Sequence, residues 1–530
     1  MYRIPRSLGT DIEQNHEKIE SFRRQEITAA QLKPQQAAMG VYEQRNDGHY
    51  MVRLRCVGGY ISPKQLKGVA RIAKRARCSH IHLTTRQELQ IHGVTLDRVT
   101  PVLKALKKIG LSTRGGGGDT VRNMLVDERA GLGREVFDPL PYAVELTSLM
   151  VAEPDSFNMP RKLKIAFDLS DGQANLSLVQ DLGLIPRTRH GERGFRVLLG
   201  GSVASSPHKG WQIFRFLPER DLYRATEAAK RFFHLYGDRE NRSKARIRHI
   251  FYRLGEQQAK RLYYTEFLKL EADPALDFRP AELHFNLSTP SYPPLRLRDG
   301  DFTTWRKRYA RRQRQRGLWS IVLPFDNGNA SADTFAKIAD FIGQFGDDVV
   351  RCTLDQNLLL RNIPTAYLGN VYDFAKQAGL RVDRPLIVSR ITACTGASTC
   401  RMGICNPRDE ANRLRAHLLC SNLPLDQLAE IDIKLNGCPN ICAQCTWTAL
   451  GFSGRIIKDG DERVKAYNVW LPLHGRGELN EQVGIVRADS LPLFVEDYLA
   501  AYLRCKAAYR DYYTYVQAEG AAVAANLLGQ

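Results

Sequence analysis

Nowhere in the 530 residues does an apolar run reach the length of about 20 that a bilayer-spanning helix needs. The opening MYRIPRSLGTDIEQNHEKIE has neither an apolar core nor a small-residue cleavage site, so a cytoplasmic location is expected and a membrane role is not. A reducing compartment in turn argues against disulfides among the 11 cysteines. A dinucleotide-binding fingerprint is also missing: GGGGDT leads out of a loop toward a strand, and GGS from Gly200 to Ser202 has the wrong pattern. With no nicotinamide or flavin site evident, electrons for any redox chemistry must come from a separate protein. Acidic residues are scarce, 57 against 77 basic ones, for a net charge of +20. Such a surface attracts phosphates or an acidic protein. The absence of a zinc finger, RNP signature or KH-type loop argues against nucleic acid and for an acidic redox donor.

What the chain does have is two pairs of closely spaced cysteines. Cys394 and Cys400 lie in ACTGASTC, and Cys438 and Cys442 in NGCPNIC, with thirty-seven residues between the pairs. Two loops so built can close on one centre from opposite sides. Thiolates select iron-sulfur clusters, zinc or copper(I) over hard cations. Zinc sites usually space their cysteines two to four residues apart, which the second pair satisfies and the first does not. An iron-sulfur cluster is therefore favoured, with zinc and unliganded thiols as the alternatives.

An internal repeat supplies the architecture. A gapless shift of 269 residues aligns SPKQLKGVARIAKRAR from Ser62 with SADTFAKIADFIGQFG from Ser331, and TTRQELQIHGV from Thr84 with TLDQNLLLRNI from Thr353. Gln87 meets Gln356, Leu89 meets Leu358 and Gly59 meets Gly328. Each copy reads as an amphipathic helix followed by a strand. Arg86 meets Asp355, so any cationic role belongs to the first copy.

The pattern Cys-x5-Cys followed by Gly-Cys-Pro-Asn-x-Cys resembles the signature of sulfite and nitrite reductases that couple siroheme to a 4Fe-4S cluster. The resemblance spans most of residues 40–475. It implies that Cys394, Cys400, Cys438 and Cys442 ligate the cluster, that Cys442 also bridges to the siroheme iron, and that Asn440 lies at the cofactors. Four further segments match in order. YMVRLRCVGGY offers Arg53 as an anion contact, with Arg55 nearby. IHLTTRQELQIHG places Thr84, Arg86 and Gln90 against siroheme. GDTVRNML brings Arg122 as a second anion contact beside Asn123. MPRKLKIAF contributes Lys162 and Lys164 for proton supply. In GDRENRSKARIRH, the cations Arg239, Arg242, Lys244, Arg246 and Arg248 are expected at siroheme carboxylates. Strand alternation puts Arg53 with Arg55, and Lys162 with Lys164, on common faces. Lysine suits proton relay because burial and like charge lower its pKa, whereas arginine stays protonated.

The fold that the resemblance implies is α+β and three-lobed, with duplicated ferredoxin-like half-domains and mixed α/β siroheme-binding lobes. We expect an N-terminal arm at 1–39 that wraps the body or meets another subunit, and a duplicated module at 40–120 and 317–390. A first siroheme and substrate lobe should occupy 121–300, a basic linker 301–316, and a cluster lobe 391–530. GLSTRGGGGDT reads as a flexible connection. The implied activity is six-electron reduction of sulfite to sulfide, supplied by ferredoxin or a flavoprotein subunit. Nitrite reduction to ammonia is the alternative, ahead of a corrin-pathway oxygenase or an electron-transfer or nucleic-acid-binding protein. Departures from the family pattern are the extra thiols Cys405 and Cys445 beside the cluster motifs, the segment WLPLHGRGE, and the lack of a cysteine in RNMLVDERAG.

Overall fold

The computed structural model describes residues 2–133, 135–173 and 175–529. Two small antiparallel sheets form its centre. The first orders its strands Val41–Glu43, His49–Leu54, Leu89–Thr95 and His80–Leu83; the second orders Ala310–Arg312, Leu318–Leu323, Leu358–Pro364 and Val350–Cys352. The order is the same in both, as the 269-residue repeat requires. Ser62 caps the helix Pro63–Arg75 in a reciprocal box with Gln65, and Ser331 caps the helix Ala332–Ile342 through Thr334. These two helices pack together, and both bury their apolar stripes in one core shared by the two sheets. Each buried Leu, Val, Ile or Phe there contributes about 1.5–3 kcal/mol.

The copies are interlocked rather than adjacent. Asn329–Ala330 of the second copy pairs with His82 and Ile81 of the first, and Tyr60 of the first bridges Arg351 of the second. A sharp turn makes each crossing possible. Gly59 has φ +73°, and a Cβ there would stand 2.2 Å from the Cys352 carbonyl; its partner Gly328 has φ +71° and would meet the Leu83 carbonyl at 2.5 Å. Gln87 and Gln356, at φ +59° and +60°, reach from these sheets to the first strand of each outer lobe, binding Val126 and Ala393 backbone N–H groups at 3.2 Å each.

The outer lobes reveal a second duplication. One sheet runs Leu125–Val126, Ile165–Phe167, Leu182–Arg189, Glu192–Leu199, Trp211–Pro218; the other runs Ile391–Ala393, Ile433–Asn436, Leu450–Asp459, Glu462–Leu471, Glu481–Arg487. In both, two parallel pairings are followed by two antiparallel ones. Ile165 pairs with Leu182 as Ile433 pairs with Leu450. Each lobe has its own apolar core.

One segment differs from expectation and a second meets one of its two alternatives. The basic stretch before Leu318 is no linker: Gly300–Tyr309 is a helix that buries Trp305 and Tyr309, and Ala310–Arg312 is the first strand of the second copy. That copy thus begins before residue 317, because aromatic anchors outweigh the charges between them. The N-terminal arm folds back on its own body, burying Leu8, Ile12 and Ile19 of the helix Leu8–Arg23 beside the helix Leu96–Lys108 and pairing Asp11 with Arg114 at 2.8 Å.

Gly59→Ala should lower the unfolding free energy in urea by at least ~2 kcal/mol, since the added methyl meets both backbone strain and a carbonyl. Gly191→Ala, at φ +82° with open space around it, should cost only about 1 kcal/mol.

Candidate functional site

Between the first sheet and the first outer lobe a group of cations converges. Arg53, near the end of the strand His49–Leu54, donates through Nη1 to the Gly116 carbonyl at 2.8 Å. Arg122 donates to the same oxygen at 3.1 Å and to the Gly118 carbonyl at 2.9 Å. The glycine run that provides these oxygens is packed, which corrects its reading as a flexible connection. A Cβ on Gly117 would stand 2.2 Å from the Tyr42 hydroxyl and 2.5 Å from the Ala37 carbonyl. Tyr42 accepts the Gly118 N–H at 2.7 Å, and its ring lies 5.8 Å from the Arg53 guanidinium.

Arg86 enters from the turn after His80–Leu83, donating to the Asn123 carbonyl at 2.8 Å and to Gln180 at 3.2 Å. Asn123 answers through its amide, which donates to the Cys56 and Arg86 carbonyls. The Thr84 hydroxyl is taken by the backbone N–H groups of Arg86 and Glu88, so it shapes the turn. Gln90 faces Arg53. Arg55 is fully buried and donates to the Val121 carbonyl at 2.9 Å. Lys162 and Lys164 flank the start of Ile165–Phe167. The basic run divides. Arg246 makes a two-pronged pair with buried Asp181 at 2.9 and 2.7 Å, and Arg248 is buried beside Ser202. Arg239, Arg242 and Lys244 lie at the surface, where Arg242 pairs with Asp119 at 2.9 Å.

The electrostatics of this pocket are one-sided. Burial, then Arg246 and Arg122, push Lys162 down to about 7. Burial, then Arg86 and Arg246, hold Lys164 well below an ordinary lysine. Burial brings Arg86 down to about 10 despite the attraction of Glu88. Several donors have no acceptor within the protein: Nε of Arg86, Arg122, Arg248 and Arg55, and Nη1 of Arg55. Buried cations and orphaned donors are costly alone and match a polycarboxylate that supplies acceptors. Siroheme is such a molecule, so these residues fit it.

The four signature cysteines lie at one edge of the second outer lobe. The Gly437 N–H points at Cys394 Sγ from 3.2 Å, and Ile441, a β-branched residue, holds φ +50° between Cys438 and Cys442. Strain of this kind concentrates at functional loops. Burial, then the neighbouring Cys442, pushes the Cys394 thiol up to about 12, and burial also raises Cys438. Such thiols ionise when a metal centre displaces their protons. Among the described residues, no group of three or more ligand-type side chains is arranged to hold a single metal ion. Asn440 is exposed in the same loop. Cys405 and Cys445 are buried in the lobe, Cys405 donating to the Arg455 and Ala466 carbonyls. The cysteine loop meets the cation pocket directly: Thr85 donates to the Cys442 carbonyl at 2.8 Å.

Thr85, Gln180, Asp181, Tyr42 and the Gly116 and Gly118 carbonyls were not singled out from sequence. Thr85 sits beside Arg86 in TTRQ and was within reach of that motif. Backbone carbonyls and a lone Asp181 carry no spacing signal.

Comparisons with known proteins agree with this geometry. The family model for the nitrite/sulfite reductase ferredoxin-like half domain matches residues 42–109 and 311–378. The model for the nitrite and sulphite reductase 4Fe-4S domain matches residues 117–269. That stretch contains none of the cysteines; the four of the signature lie in the other lobe of the same topology. A sulfite reductase [ferredoxin] 2 of Mycolicibacterium paratuberculosis is 26% identical over 88% of this chain and 83% of its own. An assimilatory ferredoxin-dependent nitrite reductase of Haloferax mediterranei is 25% identical over 91% and 84%. The solved structure of the Mycobacterium tuberculosis NirA protein superposes with a TM-score of 0.77 at 23% identity, over 97% of this chain and 96% of that one, and shares the fold.

Asp181→Asn should cost about 3 kcal/mol in urea unfolding, because Arg246 then remains buried without its carboxylate. An unchanged midpoint would show that Arg246 has another partner.

Proposed function

Because this chain belongs to the nitrite and sulphite reductase family, whose members carry siroheme and a 4Fe-4S cluster, we propose that it reduces sulfite to sulfide. The observation that supports this reading is the convergence of Arg53, Arg86, Arg122, Lys162 and Lys164, with Nε of Arg86 and of Arg122 lacking an acceptor, next to a turn whose Thr85 binds the cysteine loop. In this reading Cys394, Cys400, Cys438 and Cys442 hold the cluster, Arg86, Arg246 and Arg248 hold the siroheme carboxylates, and Asn123 fixes the Arg86 turn. Bound there, the two groups supply an iron site for the anion and a route for electrons.

The protein's own side chains then do the rest. Hydrogen sulfite takes six electrons and six protons to give hydrosulfide and three waters. Arg53 and Arg122, fixed on one carbonyl, present charge to the anion without reorganising. Lys162 and Lys164, close to Arg122 and Arg86, are the side chains able to pass protons to the anion, since a lysine can release one and an arginine cannot. Electrons come from an acidic donor. Relatives named for ferredoxin and the net charge of +20 both favour ferredoxin over a flavoprotein subunit. Nitrite is the second reading, favoured by relatives of both activities at equal similarity. No described helix is long and apolar enough to cross a membrane.

Turnover of each anion by the loaded protein with reduced ferredoxin tests this. Faster sulfite consumption is expected; faster nitrite consumption would move the assignment, and turnover of neither would remove it. Cys400→Ser should abolish the cluster absorbance while Cys405→Ser retains it.

A further inference from the structure

One buried cation beside the cysteine loops has no part in the cation group described above. Arg408 is the second residue of the helix Pro407–Cys420 and is 7% exposed. Packing of the residue before it fixes its place. A Cβ on Gly396 would stand 2.1 Å from Pro407 Cδ, and one on Gly437 would stand 3.1 Å from the same atom, while the Gly437 N–H reaches Cys394 Sγ at 3.2 Å.

This is an unfavourable position for a lone cation. Burial strips its water, and the first turn of a helix presents unpaired N–H groups that repel positive charge. Among the described residues no carboxylate pairs with Arg408. The acidic residues of the same turn are engaged elsewhere, Asp409 accepting from Asn406 and Glu410 pairing with Arg413 at 2.9 Å.

Neutral acceptors are missing as well. Nε of Arg408 has none. Nη2 lies 3.2 Å from His82 Nδ1, but that nitrogen carries a proton. Gln356, whose oxygen takes the Ala393 N–H at 3.2 Å, turns its amide nitrogen to His82 Nε2 at 3.4 Å, so the ring gives its Nδ1 proton to Asn329 Oδ1 at 2.8 Å. Burial brings Arg408 down to about 10, and the charge that opposes this is the Cys394 thiolate. The lobe without the signature cysteines is different at this point. Its helix between the first two strands of the sheet, Leu140–Ala152, has Pro141 as its second residue.

We infer that Arg408 is the resident counter-charge of the cluster, a buried guanidinium beside Cys394 that makes the cluster easier to reduce. This rests on the reading of Cys394 as a cluster ligand. Reduction adds one electron to a centre that four thiolates already make anionic, so a fixed cation nearby stabilises the reduced form more than the oxidised one. Arginine suits the role because it keeps its charge when buried. The effect belongs to the cluster and precedes any step at the anion.

The test is a redox titration of the cofactor-loaded protein, followed by the paramagnetic resonance of the reduced cluster with neither sulfite nor nitrite present. Arg408→Met should shift the cluster couple at least tenfold toward the oxidised form, about 59 mV for one electron. Arg408→Gln keeps amide donors without the charge and should shift it in the same direction, giving the readout if the methionine variant holds no cluster. Arg408→Lys restores the charge and should stay within about threefold of the parent. Arg401→Gln is the control, since Arg401 adjoins Cys400 but is half exposed and already paired with Glu43 and Asp47 at 2.9 and 3.0 Å; it should move the couple less than about threefold. Loss of the cluster from both neutral variants, with Arg408→Lys loaded, supports the same role. Parent-like potentials in both neutral variants, or a shift in Arg408→Lys as large as theirs, overturn the counter-charge alone. A reconstituted parent without an iron-sulfur spectrum overturns the cluster reading as well.

Discussion

Concentrating like charge in a half-buried pocket is the constraint on which the rest of this structure depends. Arg53, Arg86, Arg122, Lys162, Lys164 and Arg246 converge, with Glu88 and Asp181 as carboxylates among them. An isolated ion removed from water costs several kcal/mol even after relaxation. Much of the surrounding architecture relieves that cost. The Gly116, Gly118 and Asn123 carbonyls accept from three of the arginines. The glycine run must lack side chains so that its carbonyls can approach, and Tyr42 holds it in place. What the protein leaves unsatisfied is a set of buried arginine N–H groups, which suit an anionic ligand.

Duplication explains how one chain builds such a pocket without a matching one elsewhere. The same frame occurs twice, in the small sheets and again in the outer lobes, but the side chains differ. Arg86 corresponds to Asp355, and by the register of the outer sheets Lys164 corresponds to Asp432. In the second copy Lys434 lies 3.6 Å from both Asp355 and Asp432, so charge is balanced internally. A balanced cluster needs no ligand; an unbalanced one does. The cysteine loops belong to the lobe of the balanced copy and reach across to the other at Thr85.

The sequence made the first duplication legible because its anchors are structural. Ser62 and Ser331 are caps, Gly59 and Gly328 are crossings, and Gln87 and Gln356 tie each half to its lobe. The second duplication was hidden because the lobes share strand order and not residue type. The motif cations were also readable, but not which of them face inward: GDRENRSKARIRH looks uniform, yet only Arg246 and Arg248 are buried. The glycine run misled for a physical reason. Glycine permits flexibility and close packing alike, and the choice is made by Tyr42 and Ala37, which are distant in sequence.

The most direct test is the pH dependence of stability of the cofactor-free protein beside its Lys162→Met variant. Burial and neighbouring cations lower Lys162 from 10.5 to about 7 in the folded chain. Between those values Lys162 makes the unfolded chain bind one more proton than the folded one, so it should add to a rise of stability with pH from about 7 to 9 by up to about 1.4 kcal/mol per unit. The variant should lose this contribution while keeping the one that Lys164 makes, and loading with siroheme should suppress both by supplying carboxylates. Identical profiles for the parent and the Lys162→Met variant would contradict the account.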